Sequence, residues 1–591
     1  MPAYRAPLDE IRFVLHELLG VEQALAETGA FPGLDRALLD QVLQEAGRLA
    51  GEVVRPINRD ADEEGCRLEN GRVTTPAGVR EAYRAWVAGG WSGLTAEAAD
   101  GGQGLPEVVA FAVNEMVTAA SMGFADYVGL FAMVYRMVKR HGAAEQQQRY
   151  LAGLADGRFG GTMMMTEPHC GTDVGLIKTR GVPADDGSWR VHGTKIFISG
   201  GDHDLTGNIV HLVLARAEGD PAGSRGLSLF LVPKLLPDGS RNALAAVSLE
   251  HKMGYAASAT CQMALDGATG WLIGEQKRGL MVLFDMMNAA RLMVASQGLA
   301  TADAAWQIAA PYAAERLQGR SPRGPAYPDR PADPILCHPD VRRMLLATRS
   351  FVEAARATYL WLGLEVDLAE RHPDAVRRAE AAEWLSLLTA AVKAVLSDLG
   401  SAATNDCLQV LGGHGYIRAN GVEQLWRDGR IAMIQEGANG MLALDLIRRQ
   451  IPTHEGRAWR RLLAAMVESA KEAAAPELGT AMQAALIRLK TASDWLQARI
   501  AQDAAEAGAA GVDFQRLFGL TLLGWQWLRL TEASARATAA GRVGAAFHAE
   551  KLASARFWFA RVLPLAEGHW AAMQAGAGAI MDPGEDYFAA G

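Results

Sequence analysis

The nine residues Met165–Asp173, M-T-E-P-H-C-G-T-D, lie just past the point at which this 591-residue chain changes its period. Upstream, apolar residues recur at three and four positions: Leu8, Ile11, Val14, Leu15 and Leu18, then Leu38, Leu39, Val42, Leu43 and Ala46. That spacing predicts amphipathic helices. A third helical block is expected over about Leu105–Val138, where Val109, Ala110, Phe111, Val113, Met116 and Val117 put apolar side chains on several faces. From near Gly160 to about Gly274 strand signals take over. Ile209–Leu214 and Leu227–Val232 are short apolar runs bounded by Gly, Asn, Asp or Pro. Thr260–Leu265 sets Cys261, Met263 and Leu265 on one side and Gln262 on the other. The middle of the chain therefore reads as a domain of antiparallel strands inserted between helices.

Helices return at Gly279. Leu280–Arg316, Val341–Leu368, Ala375–Leu399 and Ala402–Leu411 read as long helices, the last ended by Gly412-Gly413. The Pro/Gly-rich stretch Gly319–Pro334 has no regular period and reads as a loop. A further helix is expected over about Gly440–Arg449, then a linker at Gln450–Gly456. The remainder is Ala-rich at helical spacing and carries Trp495, Trp525, Trp527, Trp558 and Trp570. Tryptophans so spaced are core or interface before they are a ligand cage. The expected fold is α+β in four parts: an N-terminal helical domain (1–158), a middle antiparallel β domain (159–278), a helical bundle (279–450) and an extra C-terminal helical domain (457–591).

Composition narrows the class. Half of the residues are hydrophobic and about a fifth charged, as in a globular protein, and the chain is too long for one core. A net charge of -9 with no basic cluster argues against a nucleic-acid partner. Five scattered cysteines (Cys66, Cys170, Cys261, Cys337, Cys407) form no C-x-x-C pair, so neither a disulfide framework nor a zinc ribbon is expected. The N-terminus has no signal-type apolar run, and no 18 apolar residues occur without a charge, so no integral membrane association is expected. A cytoplasmic location is the expectation that follows.

The chemistry is concentrated in Met433–Met441, M-I-Q-E-G-A-N-G-M. Glu436 sits where a helical segment is interrupted by small residues, with apolar sequence on both sides. A carboxylate kept from water is a strong base once ionised. Two plainer readings compete, a helix N-cap and an ion pair with Arg427.

In this order and at these separations, five motifs resemble the acyl-CoA dehydrogenase family of flavoproteins. They are Met165–Asp173; G-T-K-I-F-I-S-G-G at Gly193–Gly201; Gln409 with G-G-H-G-Y at Gly412–Tyr416; R-D-G-R at Arg427–Arg430; and Q-E-G at Gln435–Gly437. The similarity extends to the long members with an extra C-terminal helical domain, among them the 3-methylmercaptopropionyl-CoA dehydrogenases, through Glu250–Gly254, Asp266–Gly274 and Met286–Arg291.

The resemblance implies FAD as cofactor and an acyl-CoA thioester as substrate. It makes Glu436 the base that takes the pro-R α-proton while the β-hydride leaves from the opposite face, with the Glu436 N–H and a flavin ribityl hydroxyl on the thioester oxygen. The family's alternative base position is Ala290 here, which leaves Glu436. Thr166, Gly171 and Thr172 would surround the flavin ring and pyrophosphate. Phe197 would lie against the ring where Trp is common, and Ser199 would donate to it. Arg316 would reach the FAD pyrophosphate of a neighbouring subunit, with a solvated helix end as the plain reading. Gln409 and Gly413 would hold the adenine end. Asn288, Arg291 and Gly437 would bind substrate, Asn288 standing where Asp is common. Ala438 replaces the usual Thr and removes a hydroxyl.

By the same resemblance the electrons would go to electron-transferring flavoprotein, in fatty acid metabolism of the beta-oxidation type. The acyl-CoA oxidases, which use oxygen, and a catalytically silent CoA- or partner-binding homologue are the alternatives. Met286, Met287 and Ala289 point to a short or medium acyl chain, thioether tails included. The C-terminal domain would take the place of a second dimer, so a homodimer is expected. His169 and Cys170 beside Glu167 and Asp173 do not have zinc spacing, and no metal is expected there. His414 reads as a local structural donor.

Overall fold

The computed structural model describes residues 4–589. The chain forms two compact units, one built on Leu43–Met293, the other on Pro7–Val42 and residues 294–589.

In the first unit, β1 (Arg67–Glu69) and β2 (Arg72–Thr74) form a small hairpin. The helical block expected over 105–138 is two helices, α1 (Glu107–Ala120) and α2 (Met122–His141). The break is at Ser121, whose extended backbone (φ -156°, ψ 106°) ends one helix while its hydroxyl caps the next by accepting from Phe124 N at 3.4 Å. Serine competes for backbone donors in this way, a local signal that the apolar run conceals.

Seven strands follow: β3 (Phe159–Met164), β4 (Arg180–Pro183), β5 (Trp189–Ser199), β6 (Asn208–Ala217), β7 (Leu227–Pro233), β8 (Leu244–Leu249) and β9 (Thr260–Leu272). The pairings β6–β4–β5–β9–β7 return to β6, so five strands close into a ring, with β3 attached to β6 and β8 to β9. The antiparallel expectation holds for β4/β5, β5/β9, β6/β7, β7/β9 and β8/β9. It does not hold for β3/β6 and β4/β6, which are parallel. Parallel neighbours need crossover connections, and a strand's own residues do not encode its partner's direction. Cys261, Met263 and Leu265 are buried as their alternation predicted. α2 lies close against β3: a side chain at Gly161 would come within 2.4 Å of Val134 Cβ.

In the second unit α3 (Gly279–Glu315, which begins in the first), α4 (Pro339–Arg371) and α5 (Ala375–Val410) are the long bundle helices. α5 runs unbroken through Gly400, where the sequence led us to expect two helices. Gly400 is needed for contact instead: a Cβ there would lie 2.3 Å from the carbonyl oxygen of Gly298 on α3. The Gly319–Pro334 loop is organised by Asp333, a buried carboxylate that accepts from the backbone N–H groups of Ser321, Ala326 and Tyr327 at 2.8–3.1 Å. Two helices, Gly279–Glu315 and Ala375–Val410, are long and apolar enough to cross a membrane, and over half of each apolar window is buried in the protein.

Beyond α6 (Asn439–Asp445), the expected linker is a kink within Thr453–Lys471. His454, Glu455 and Gly456 all have left-handed backbone there. In the C-terminal region, α7 (Glu506–Ala539) is buried on most faces. Trp527 and Trp558 are fully buried, and Trp527 Nε1 donates to Ser350 O at 3.1 Å. Trp525 and Trp570 are also buried, and Trp495 meets Trp570 edge-on at 5.7 Å. Four of the five are core tryptophans, as expected, and Trp495 is half-buried beside them.

Candidate active site

The predicted site residues fall into two sets, one in each unit. In the first, strand β3 ends at Met164, and the chain turns so that Glu167 and Cys170 exchange backbone hydrogen bonds at 2.9 and 3.0 Å. Thr166 O accepts from Ile196 N at 2.9 Å, which sets this turn beside β5. At the same place β5 is irregular against β9, between Lys195 and Ile198. Such a bulge re-aims a side chain. Phe197, at φ 58°, is 60% exposed there, a large apolar face turned outward from a strand whose neighbours Lys195 and Ile198 are buried.

Sequence reasoning missed what holds this turn. Lys195 is fully buried and donates to Glu167 Oε1 and Met165 O, both at 2.9 Å. Glu167, also buried, accepts in addition from Thr179 Oγ1 at 2.6 Å, Thr179 N at 3.0 Å and Lys178 N at 2.8 Å. Burial alone would raise the Glu167 pKa. The Lys195 charge and these donors outweigh it and hold the carboxyl below its ordinary value. Burial lowers Lys195 to about 8, with Glu167 opposing. The usable signal was Lys195 inside strand-forming sequence, where a buried charge is tolerated only when paired. The nearest possible ligand atoms of Glu167, His169 and Cys170 lie within 4.8 Å of one another. That carboxylate is already engaged as described, and His169 Nε2 lies 2.9 Å from Leu176 O.

Ser199 closes the set, half-buried near a buried pair, Asp126 and Tyr255. Burial raises the pKa of both members, and Ser258 Oγ donates to Asp126 at 2.7 Å. On α3, Arg291 is buried and donates to Asn288 Oδ1 at 3.3 Å, while Asn288 itself is exposed.

In the second unit, Glu436 lies between a short 3-10 turn (Arg430–Met433) and α6. It is half-buried, with φ 55°, and Gly437 follows at φ 96°. Glu436 is not the N-cap of α6. That position is Ala438, which makes no side-chain cap bond. Arg427 donates to Glu423 at 2.5 and 3.1 Å. Seven non-glycine residues among those described have positive φ, and Phe197 and Glu436 are two of them. A non-glycine residue there costs about 1–2 kcal/mol and persists only where its surroundings enforce it.

Gln409, Gly412 and Gly413 are exposed at the end of α5. Tyr312 OH lies 3.2 Å from His414 Nδ1, which ties this turn to the end of α3 and so to Arg316. Arg316 is exposed. Next to them Tyr416 is 83% exposed.

Each set by itself offers features that suit part of a flavin nucleotide, an aromatic face in the first unit and a cation beside open backbone in the second. A Cβ at Gly413 would meet nothing within 4 Å and one at Gly171 only Thr166 Cγ2 at 3.7 Å, which leaves the backbone open there, whereas Gly412 is required by its left-handed φ of 56°. Phe197 supplies an exposed aromatic face, and Arg316 an unburied guanidinium.

Comparison with known proteins agrees. Residues 39–158 match the family model described as acyl-CoA dehydrogenase, N-terminal domain. Residues 162–268 match its middle domain, 284–451 the acyl-CoA oxidase C-alpha1 domain, and 462–583 the acetyl-CoA dehydrogenase C-terminal-like model. A 3-methylmercaptopropionyl-CoA dehydrogenase of Ruegeria pomeroyi is 40% identical over 95% of this chain and 96% of its own length. A broad-specificity linear acyl-CoA dehydrogenase of Mycobacterium tuberculosis is 32% identical over 96% of each chain. A Bacillus anthracis acyl-CoA dehydrogenase solved with FAD, 19% identical, shares the fold with a TM-score of 0.74 over 93% of this chain and 90% of its own.

The class these findings define is the FAD-dependent oxidoreductases. Within it, the chain belongs to the acyl-CoA dehydrogenase family.

Proposed function

We propose that this enzyme α,β-dehydrogenates a short or medium acyl-CoA, of the 3-methylmercaptopropionyl-CoA kind, to the trans-2-enoyl-CoA. FAD, when bound, supplies the acceptor for the two electrons. Glu436 takes the α-proton. The observation that carries this is its left-handed backbone: a half-buried carboxylate is kept in a costly conformation at a turn where it does not cap a helix. By the family resemblance the Glu436 N–H donates to the thioester oxygen as negative charge develops. Gly437, Arg291 and Asn288 position the substrate.

In the flavin site, Thr166, Gly171, Thr172, Phe197 and Ser199 serve the ring side, and Gln409, Gly413 and Arg316 the nucleotide side. The relative of 40% identity supports the substrate class. Electron-transferring flavoprotein is the acceptor, and the protein is a homodimer of four-domain chains divided near residues 158, 278 and 450.

Anaerobic mixing with acyl-CoA thioesters from C3 to C16, and with 3-methylmercaptopropionyl-CoA, tests the reading. Flavin bleaching fastest with the short, medium or thioether substrates is expected; preference for C14 or longer overturns the substrate class. Glu436→Gln should slow bleaching by about 10²- to 10⁴-fold with binding retained. A variant keeping more than a tenth of the rate reassigns the base. The match of residues 284–451 to an acyl-CoA oxidase domain favours one second reading, electron transfer to oxygen. Stoichiometric hydrogen peroxide in turnover would establish it. A tetramer of the 63.2 kDa chain by light scattering would exclude the dimer.

A further inference from the structure

The turn that carries Glu436 is tied to α5 by two side chains to which the reading above gives no role, Lys393 on α5 and Asn439 at the start of α6. Lys393, fully buried, donates to Gly437 O at 2.8 Å and to Asn439 Oδ1 at 3.0 Å. Asn439, the first residue of α6, donates through Nδ2 to Asp398 Oδ1 at 2.6 Å, to Ser397 Oγ at 3.0 Å and to Ala394 O at 3.2 Å. Upstream, Gln435 Nε2 donates to Gln297 Oε1 at 2.8 Å. The two residues at positive φ, Glu436 and Gly437, are thus pinned immediately before and after. The far side of the clamp is braced by the C-terminal region. Arg516 on α7 lies 3.4 Å from Asp398 Oδ2, and a Cβ at Gly511 would touch Ile447 and Ala443 at 3.4 and 3.6 Å.

We propose that Lys393 and Asn439 are positioning residues, a clamp that enforces the left-handed turn and so sets the direction of the Glu436 carboxylate and N–H. The inference rests on Glu436 being the base. A buried ammonium spent on a backbone carbonyl is costly unless the bond does something the helix itself does not need. Here the carbonyl belongs to the residue after the base, and it can accept from Lys393 only in this turn. Without the clamp the turn relaxes toward negative φ, which swings both catalytic groups of Glu436 away together. The expected signature is a fall in kcat with little change in KM, because the aim of the base matters to the reaction and not to substrate affinity.

Two sets of variants test it, in the FAD-loaded enzyme. Lys393→Met keeps the side-chain length and removes the donor. It should lower the rate of flavin bleaching by at least 100-fold, with KM and FAD content within threefold of wild type. Asn439→Asp sets a second carboxylate against Asp398; the repulsion, opposed by Lys393 and Arg516 on either side, raises the pKa of one of the pair. Its rate should fall at least tenfold at pH 8 and recover as the pH is lowered and one of the pair protonates. Adding Asp398→Asn should restore it to within threefold, since the amide then donates to the new carboxylate. Should Lys393→Met fail to fold, the Asn439→Asp pair decides alone. A Lys393→Met enzyme with wild-type kcat, or an Asn439→Asp loss that Asp398→Asn does not repair, overturns the clamp while the assigned reaction stands. A wild-type enzyme that no acyl-CoA bleaches overturns both.

Discussion

Gly298 and Gly400 face each other where α3 and α5 cross, each so close to the other's helix backbone that neither position admits a side chain. A Cβ on Gly298 would lie 2.2 Å from Leu396 O, and one on Gly400 2.3 Å from Gly298 O. Gly400→Ala should therefore destabilise the fold by about 2–3 kcal/mol, the cost of overpacking where backbone must move. Gly508→Ala, on an exposed face of α7 with nothing within 4 Å, should stabilise by about 0.5–1 kcal/mol. Denaturant midpoints of the two variants against wild type check the contrast.

The Lys195–Glu167 pair predicts a second contrast. Lys195→Met leaves the Glu167 carboxylate buried with only its Thr179 and Lys178 donors, and should cost about 3–5 kcal/mol. Adding Glu167→Gln removes the stranded charge and should return at least half of that loss. Urea unfolding of the single and double variants measures both, and equal stabilities would show that the pair is not what holds the turn.

Acid should weaken the first unit well above the carboxylate range. His203 and His211 are fully buried, and burial, then the charge of Lys234, holds His203 at about 3 and His211 well below its ordinary value. The folded pKa is below the unfolded one, so between about 6.5 and 3 the unfolded chain binds the extra proton and stability falls as pH falls. By pH 5 the loss should be about 2 kcal/mol for His203, with a further loss of the same sign from His211. Stability at pH 7 and pH 5 measures it, and His211→Leu should reduce the difference.

Phe197 should matter to the cofactor and not to the fold. It is 60% exposed, so Phe197→Ala removes little packing within the protein. It should weaken FAD binding by about tenfold, or 1.4 kcal/mol, through the lost aromatic face. FAD retained after gel filtration, together with the melting temperature, separates the two effects.

How far the sequence could be read followed the range of each interaction. The strands at 208–217, 227–233 and 260–272 were legible because alternation and bounding turn residues are local. So were the buried tryptophans of α7, whose burial follows from helical spacing. Gly400 misled because glycine has two uses, to end a helix or to admit another backbone, and only the partner on α3 distinguishes them. Ser121 misled in the opposite sense, since its cap is made by one hydroxyl inside an otherwise continuous apolar stretch. The motif residues were found one by one, but Lys195 and Lys393 were not, because a lysine's role depends on what lies at the end of its long side chain.

The amino-acid order alone determined the succession of helices, strands and helices and the family, and it singled out Glu436 as the base we propose. Those rest on short-range periodicity and on motifs. The tertiary structure alone decided that two of the strand pairings are parallel, that α5 is continuous, and that Glu436 and Phe197 stand in left-handed conformations. Those depend on contacts between residues far apart in the chain, where the local preference of a residue is outweighed by what it is packed against.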